Sequence, residues 1–412
     1  MTCTVIRGGT VVDPVNGIDG VCDVLIEDGC IASVAGQIEL PADADIMDAS
    51  GKLVTPGLID VHAHVYGPGN VVPADPNCGV GAGVTTLVDA GSADASCVDD
   101  LVDRVVSVTT SDVYVLLTNH AWPDGFDEVV PDAPVDTDVL LAAAMLHGPR
   151  FVGLKVALTP AIFATYGLRA LAAARELAEQ TRTRVMLHVG DIGNPALDAT
   201  ASKVTSDALD MLAPGDILTH IYSPLTGGPL DENERVLPAL HAAAARGVIM
   251  DAAIGDYGFG WQAAEQILAE GIRADTLSSD VELYSPATKR DGLMVENRRA
   301  TGNRVVSELS LVEYMSYFLE LGFSVREIVE MCTSKAARAV GLETVVGDLS
   351  PGRPADVAVL DLKGGRYAMA DVNGDVRIGS HAFVPVKTFK NGVPHEPGQG
   401  PHDWGFEPPA VA

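Results

Sequence analysis

Basic residues are scarce in this chain. Lysine and arginine total 27 against 56 aspartates and glutamates, a formal net charge of −29, and such a surface repels nucleic-acid phosphates and anionic lipid headgroups. No nucleic acid and no membrane is expected as a partner. A run of 18 or more apolar residues, long enough to span a bilayer, is also missing. The opening Met1-Thr2-Cys3-Thr4 has neither the basic nor the apolar segment of a signal peptide, so a soluble, cytoplasmic protein is expected. Cysteine is thinly spread as Cys3, Cys22, Cys30, Cys78, Cys97 and Cys332 with no C-x-x-C pair. That pattern argues against a disulfide framework and a thiolate zinc knuckle. A metal, if bound, must be held by imidazole, carboxylate or a less usual ligand.

What the chain does have is apolar material for a large core: 47% of its 412 residues are hydrophobic, with 42 Gly and 25 Pro. Short Val- and Ile-rich runs, Thr4 to Ile6, Val21 to Ile26 and Ile31 to Val34, are separated by the turns Asn16-Gly17 and Asp28-Gly29. They predict a small antiparallel β unit. From about residue 56 the pattern changes to apolar runs alternating with Ala- and Leu-rich amphipathic stretches, the signature of βα units with buried parallel strands. Eight strands are predicted: Leu58 to Val65, Val84 to Val88, Val113 to Thr118, Phe151 to Val156, Arg184 to Val189, Asp216 to His220, Val248 to Asp251 and Thr276 to Asp280. Helices fit between most of them, for example Leu168 to Gln180, Val236 to Arg246 and Trp261 to Glu270.

This is the arithmetic of an α/β fold, a (β/α)8 TIM barrel. After helical sequence to about Ala339, Val357 to Leu360 and Val386 to Lys390 again read as strands. The expected organisation is a flanking β-sandwich domain from residues 1–55 and 340–395, a barrel over residues 56–339, and an irregular tail over residues 396–412.

The densest chemistry lies in Pro56-Gly57-Leu58-Ile59-Asp60-Val61-His62-Ala63-His64, where two histidines two apart end an apolar strand. Alternation puts both imidazoles on one face, which in a closed barrel is the interior, and the strand end is where side chains meet ligands. Alone, such a pair also fits two hydrogen-bonded core histidines. His188, His220 and Asp280 close later strands, however, so four imidazoles and a carboxylate converge on one mouth. That set suits Zn²⁺ or a similar ion.

Lys155 adds to it, standing in the apolar Phe151-Val152-Gly153-Leu154-Lys155-Val156-Ala157-Leu158 of a chain with eight lysines. A buried ammonium needs relief. One solution is an ion pair with a carboxylate. The other is chemical, in which the neutral amine adds CO₂ and the resulting carbamate bridges two metal ions.

With these residues in view the chain resembles the amidohydrolase superfamily, in its two-metal, carboxylated-lysine subtype that includes dihydroorotases, hydantoinases and deacetylases. The resemblance extends to Gly347-Asp348-Leu349-Ser350-Pro351-Gly352-Arg353-Pro354-Ala355-Asp356-Val357, where the chain returns to the flanking domain. It implies that His62 and His64 hold the more buried metal with Asp280, His188 and His220 the more exposed one, and that Lys155 bridges both as a CO₂-derived carbamate. Two divalent ions, Zn²⁺ by first choice, are the implied cofactors, and a homo-oligomer is the implied assembly. Thr85, Thr86 and Asp89 also match the subtype and are read as structural supports near the metals.

Two metals would lower the pKa of a bridging water and polarise a substrate carbonyl. Asp280 would act as general acid and base, taking a proton from the attacking hydroxide and delivering it to the leaving group. The expected function is metal-dependent hydrolysis of a small amide or ester, of N-acyl amino acid or acyl hydroxy acid type. Ring opening of an imide, hydantoin or lactam is the alternative.

Deamination fits less well, since such relatives usually work with one metal and without the carbamate. A non-catalytic scaffold is disfavoured because all six positions are intact. Substrate contacts are expected from the loops after the strands, at Tyr66, Asn119, His120, Tyr222, Tyr257 and Glu282. Two departures bear on the substrate. A Gly-His-Gly stretch of related deacetylase-like sequences is replaced by Asp251-Ala252-Ala253-Ile254-Gly255-Asp256-Tyr257-Gly258-Phe259-Gly260-Trp261, and a histidine two residues past the catalytic aspartate by Glu282.

Overall fold

The alternating Val and Ile residues near the start of the chain build Cys3–Asp13 (β1), Ile18–Glu27 (β2) and Cys30–Ala35 (β3), each antiparallel to the next. In this computed structural model residues 3–67, 73–76, 78–119, 137–190, 200–255, 258–281 and 310–398 are described. The turns fall at the two predicted places, with Gly17, Asp28 and Gly29 at positive φ, the conformation tight hairpins require. Asp45–Asp48 (β4) and Leu53–Pro56 (β5) then pair parallel to β1 and lead into the barrel.

Eight strands follow: Leu58–Ala63 (β6), Val84–Ala90 (β7), Asp112–Thr118 (β8), Phe151–Ala157 (β9), Arg184–His188 (β10), Ile217–Thr219 (β11), Ile249–Ala253 (β12) and Thr276–Ser278 (β13). They form one sheet in sequential order, every neighbouring pair parallel. Six of the eight are buried along almost their whole length, as strands covered on both faces must be.

The seam between the first and last barrel strands is closed by a parallel bridge from Ala63 to Val281. The Asp280 amide donates to His62 O at 2.7 Å and the His64 amide to Val281 O at 2.9 Å. Asp60 fastens the same seam, its carboxylate accepting the Ser279 amide at 3.0 Å and hydroxyl at 2.5 Å. Burial pushes the Asp60 carboxyl up to about 7, against the pull of those two bonds.

Past the barrel, Val357–Ala370 (β14), Val376–Lys390 (β15) and Val393–His395 (β16) join β5 antiparallel. Strands from both ends of the described chain therefore share one eight-stranded sheet. Ile6, Val11, Val24, Val54, Val357, Val359 and Phe389 make a core of their own beneath it.

β14 and β15 are far longer than their predicted pieces. The polar Lys363-Gly364-Gly365-Arg366 does not read as strand, but beyond it the hairpin lies against the barrel. Trp261 Nε1 donates to Met369 O, the Phe383 amide to Ser316 Oγ and Tyr317 OH to Ala370 O. Tertiary contact overrides local polarity there. Among the described residues no helix is long and apolar enough to cross a membrane.

Candidate metal centre

His62 and Lys155 belong to the first and fourth barrel strands, β6 and β9, which are not neighbours in the sheet. Their side chains can meet only across the interior, and they do: Lys155 Nζ stands 2.7 Å from His62 Nε2. The two histidine rings of the H-x-H pair lie edge to face with centroids 5.4 Å apart. Both aim Nε2 at Asp280 Oδ1, at 3.1 Å from His62 and 3.3 Å from His64. The ligand atoms of His62, His64 and Asp280 all lie within 4.8 Å of one another. His220 continues the cluster, its ring centroid 5.2 Å from that of His62 and its Nε2 3.8 Å from Asp280 Oδ2. His188 stacks edge to face on His220 at 4.4 Å. The four histidines and Asp280, named from strand-end position, thus meet Lys155, named as a lysine inside an apolar run, at one end of the barrel.

Two of them stand where the prediction expected extended chain. β11 stops at Thr219 and β13 at Ser278, and the next residues, His220 and Asp280, have φ of 63° and 53°. The left-handed conformation is uncommon for a residue with a Cβ and stores of the order of 1–3 kcal/mol. Such strain persists only where the surroundings impose it. Glycines clear the space beside the cluster: a Cβ at Gly255 would come within 2.4 Å of Asp280 Oδ2, and one at Gly91 within 2.6 Å of Lys155 Cγ.

Hydrogen bonds at the far ring nitrogens decide what the near ones offer. His220 Nδ1 lies 3.1 Å from the carbonyl of Ala253, which only accepts, so Nδ1 carries the proton and Nε2 is a bare lone pair. That Nε2 and the Nε2 of His188 are buried with no hydrogen-bond partner among the described residues. Burial holds the His62, His188 and His220 imidazoles below their usual value, His220 at about 4, with the Lys155 ammonium adding to the effect on each. The rings are neutral near pH 7. Lys155 meets Nε2 of His62, but His188 and His220 are left with unpartnered nitrogens inside the cluster, that of His220 3.8 Å from the Asp280 carboxylate. The donor set therefore fits divalent metal.

Sequence reasoning named Asp89 as a support but passed over Thr219, Asp251 and Ser92 behind these rings. His62 Nδ1 meets Thr219 Oγ1 at 3.0 Å, and Thr219 in turn donates to Asp251 Oδ2 at 2.8 Å. His64 Nδ1 meets Ser92 Oγ at 2.9 Å. Asp89 accepts the amides of Val65, Tyr66 and Ser92, tying the chain after the H-x-H to the end of β7. The one signal for Asp251 was an acid in an otherwise apolar strand.

Of the residues expected to touch substrate, three are described and each has a partner within the protein. The Tyr66 hydroxyl donates to Asp100 at 2.9 Å, and Asn119 Nδ2 to the carbonyl of Ala170 at 2.6 Å. Tyr222 is wholly buried, packed near Phe318, and its hydroxyl accepts the Ala274 amide. A tyrosine so enclosed braces the core and offers substrate no free surface. His120, Tyr257 and Glu282 lie outside the described residues.

Known proteins share this architecture. A deacetylase of Agrobacterium fabrum is 28% identical over 369 residues, covering 88% of this chain and 84% of its own. A dihydroorotase of Anaeromyxobacter sp. strain K is 29% identical over 394 residues, covering 86% and 88%. The crystal structure of an adenine deaminase superposes with a TM-score of 0.81 over 96% of this chain and all of that one, at 24% identity, a likeness of fold. Residues 53–394 match the amidohydrolase family, from β5 through the barrel to β16. This chain belongs to the amidohydrolase family.

Proposed function

We propose that this metal-dependent amidohydrolase removes the acyl group from a small N-acylated amino acid or O-acylated hydroxy acid. The observation that carries the reading is the meeting of His62, His64, Lys155, His188, His220 and Asp280 at one end of the barrel. Relatives named deacetylase support the linear substrate class. In this reading His62, His64 and Asp280 hold one divalent ion, His188 and His220 the second, and Lys155 bridges them. Lys155 would do so after its amine forms an N–C bond with CO₂ and releases a proton. Imidazole and carboxylate donors suit Zn²⁺, with Mn²⁺ and Co²⁺ as competitors. A bound metal pair supplies an activated water and a Lewis acid.

The chain's own residues then divide the work. Asp280 sits between the two histidine pairs, with Oδ1 toward His62 and His64 and Oδ2 toward His220. From there its carboxylate accepts the proton of the attacking water and returns it to the departing nitrogen or oxygen. His62, His188 and His220, neutral by burial, stay available as ligands and do not compete for that proton. Specificity is sought at His120, Tyr257 and Glu282, which follow the ends of strands three, seven and eight in the sequence.

Opening of a cyclic amide is the second reading, favoured by the dihydroorotases that match across most of both chains. One experiment separates the two. Protein purified without chelators and supplied with Zn²⁺ and bicarbonate is analysed for metal per chain, then assayed against N-acetyl amino acids, acyl hydroxy acids, hydantoins and cyclic imides. Close to two metals per chain with the highest kcat/KM on a linear acyl compound is expected. Preference for a ring would select the second reading. Metal-loaded protein inert toward every member would reject both.

A further inference from the structure

We propose that Asp251 and Thr219 are positioning residues that fix His62 in one tautomer, presenting its Nε2 as a permanent lone pair for the metal. The proposal rests on the metal-centre reading above, though its first readout is taken without metal.

Asp251, on β12, is wholly buried and gathers three hydroxyls. Thr276 Oγ1 donates to Oδ1 at 2.7 Å, Ser278 Oγ reaches both oxygens at 3.1 and 2.8 Å, and Thr219 Oγ1 donates to Oδ2 at 2.8 Å. A hydroxyl has one proton and can either give or receive toward a ring nitrogen, so Thr219 alone would leave the tautomer of His62 open. The carboxylate removes that freedom. Because Thr219 spends its proton on Asp251, only its lone pairs face His62 Nδ1 at 3.0 Å, and Nδ1 must be the protonated nitrogen. Nε2 is then bare, where it lies 2.7 Å from Lys155 Nζ and 3.1 Å from Asp280 Oδ1.

His220 is fixed by the carbonyl of Ala253 and needs no carboxylate, while His64 faces the hydroxyl of Ser92, whose side chain in turn bonds the Asp89 carboxylate. For His62 the proton on Nδ1 is set by a chain of side chains running from β6 to β11 to β12, and the Lys155 ammonium, which can only donate toward Nε2, favours the same form. A competing account makes Asp251 a clamp that merely ties β11, β12 and β13 together through Thr219, Thr276 and Ser278. A clamp predicts lost stability. It does not predict a moved proton.

The test uses the full chain with Thr219→Val, Thr219→Ser and Asp251→Asn. Imidazole nitrogen shifts of His62 are read by long-range ¹H–¹⁵N correlation on metal-free protein, and Zn²⁺ affinity by chelator competition. The parent protein and Thr219→Ser are expected to show the Nδ1–H form. In Asp251→Asn the amide can donate to Thr219 and let its hydroxyl turn, so His62 shifts toward Nε2–H. Thr219→Val leaves Nδ1 without a partner and mixes the tautomers. Zn²⁺ affinity should fall about 10–100-fold in Thr219→Val and Asp251→Asn and recover in Thr219→Ser.

Should Asp251→Asn not fold, the two Thr219 variants decide the matter by themselves. An Nε2–H form in the parent protein, or an unmoved tautomer and unchanged Zn²⁺ affinity in Thr219→Val, overturns the relay. A parent protein that shows the Nδ1–H form and its loss in Thr219→Val, yet takes up no Zn²⁺, upholds the relay and overturns the metal-centre reading instead.

Discussion

Lys155 Nζ and His62 Nε2 stand 2.7 Å apart across the barrel, joining the ends of its fourth and first strands. Lys155 is 4% exposed, so its amine is withdrawn from water and set against a ring nitrogen that also faces Asp280. Replacing it with alanine should remove metal and activity together. The loss of affinity should exceed the roughly 10–100-fold typical of removing an outer partner of a metal ligand. Elemental analysis and turnover on the same preparation check this. A Lys155→Ala protein that keeps two metals per chain would end the bridging assignment.

Asp280 has a separable role. In Asp280→Asn the amide oxygen can still face His62 and His64, but the group no longer takes up a proton at neutral pH. Most of the metal should remain while kcat drops by about 10²–10⁴, with KM little changed. Turnover comparable to the parent protein would remove Asp280 from the proton-transfer role.

Gly255 offers a test that leaves every ligand in place. Its φ is +41° and an added Cβ would come within 2.4 Å of Asp280 Oδ2. Gly255→Ala should therefore push the carboxylate out of line and lower kcat, while costing about 1–3 kcal/mol of stability for a left-handed alanine. Thermal unfolding and steady-state kinetics give the two readings. An unchanged kcat would mean that Asp280 tolerates displacement.

Most of the barrel could be read from the order of its apolar runs, because buried parallel strands leave a continuous hydrophobic signal. The runs at Phe151 and Arg184 begin in the structure where they begin in the pattern. Strand ends were less legible. His220 and Asp280 continue an extended pattern in sequence, yet both turn left-handed, since the packing of the mouth sets their φ and local preference does not. The histidines and Asp280 were legible as polar groups at the ends of apolar runs, and Lys155 as a cation inside one. Thr219 was not, because a hydroxyl inside a strand carries no mark of the ring it will meet from another strand, and Asp251 showed only as an acid in an apolar run. Tyr222 misled for the converse reason: its position two residues past His220 suggested the mouth, while its ring fills the core against Phe318.

The junction between the barrel and the flanking sheet depends on a buried cation. Lys390 at the end of β15 is 3% exposed at its side chain, and its Nζ bonds Asp112 Oδ2 at the start of β8 and Asp356 Oδ2 just before β14, each at 2.7 Å. Burial opposes the ammonium, but Asp356 and Asp112 together raise Lys390 above its ordinary value of 10.5. Burial likewise pushes Asp112 up, and Lys390 and Arg150 more than offset it, leaving Asp112 below 3.8. Lys390→Met would leave the buried Asp356 carboxylate without its ammonium and Asp112 with Arg150 alone. Removing one partner of a buried ion pair costs about 3–5 kcal/mol, so chemical unfolding near neutral pH should show a loss of that size. Because the Lys390 value is raised, its contribution is complete below 10.5 and fades as pH climbs through the higher folded value. Because the Asp112 value is lowered, its contribution is complete above 3.8 and fades as pH falls through the lower folded value. The gap between parent and variant should therefore be widest on the plateau between those limits and narrow at both ends. A difference below about 1 kcal/mol across the plateau, the size expected of an exposed pair, would mean that water reaches Lys390 and that apolar packing alone holds the two sheets together.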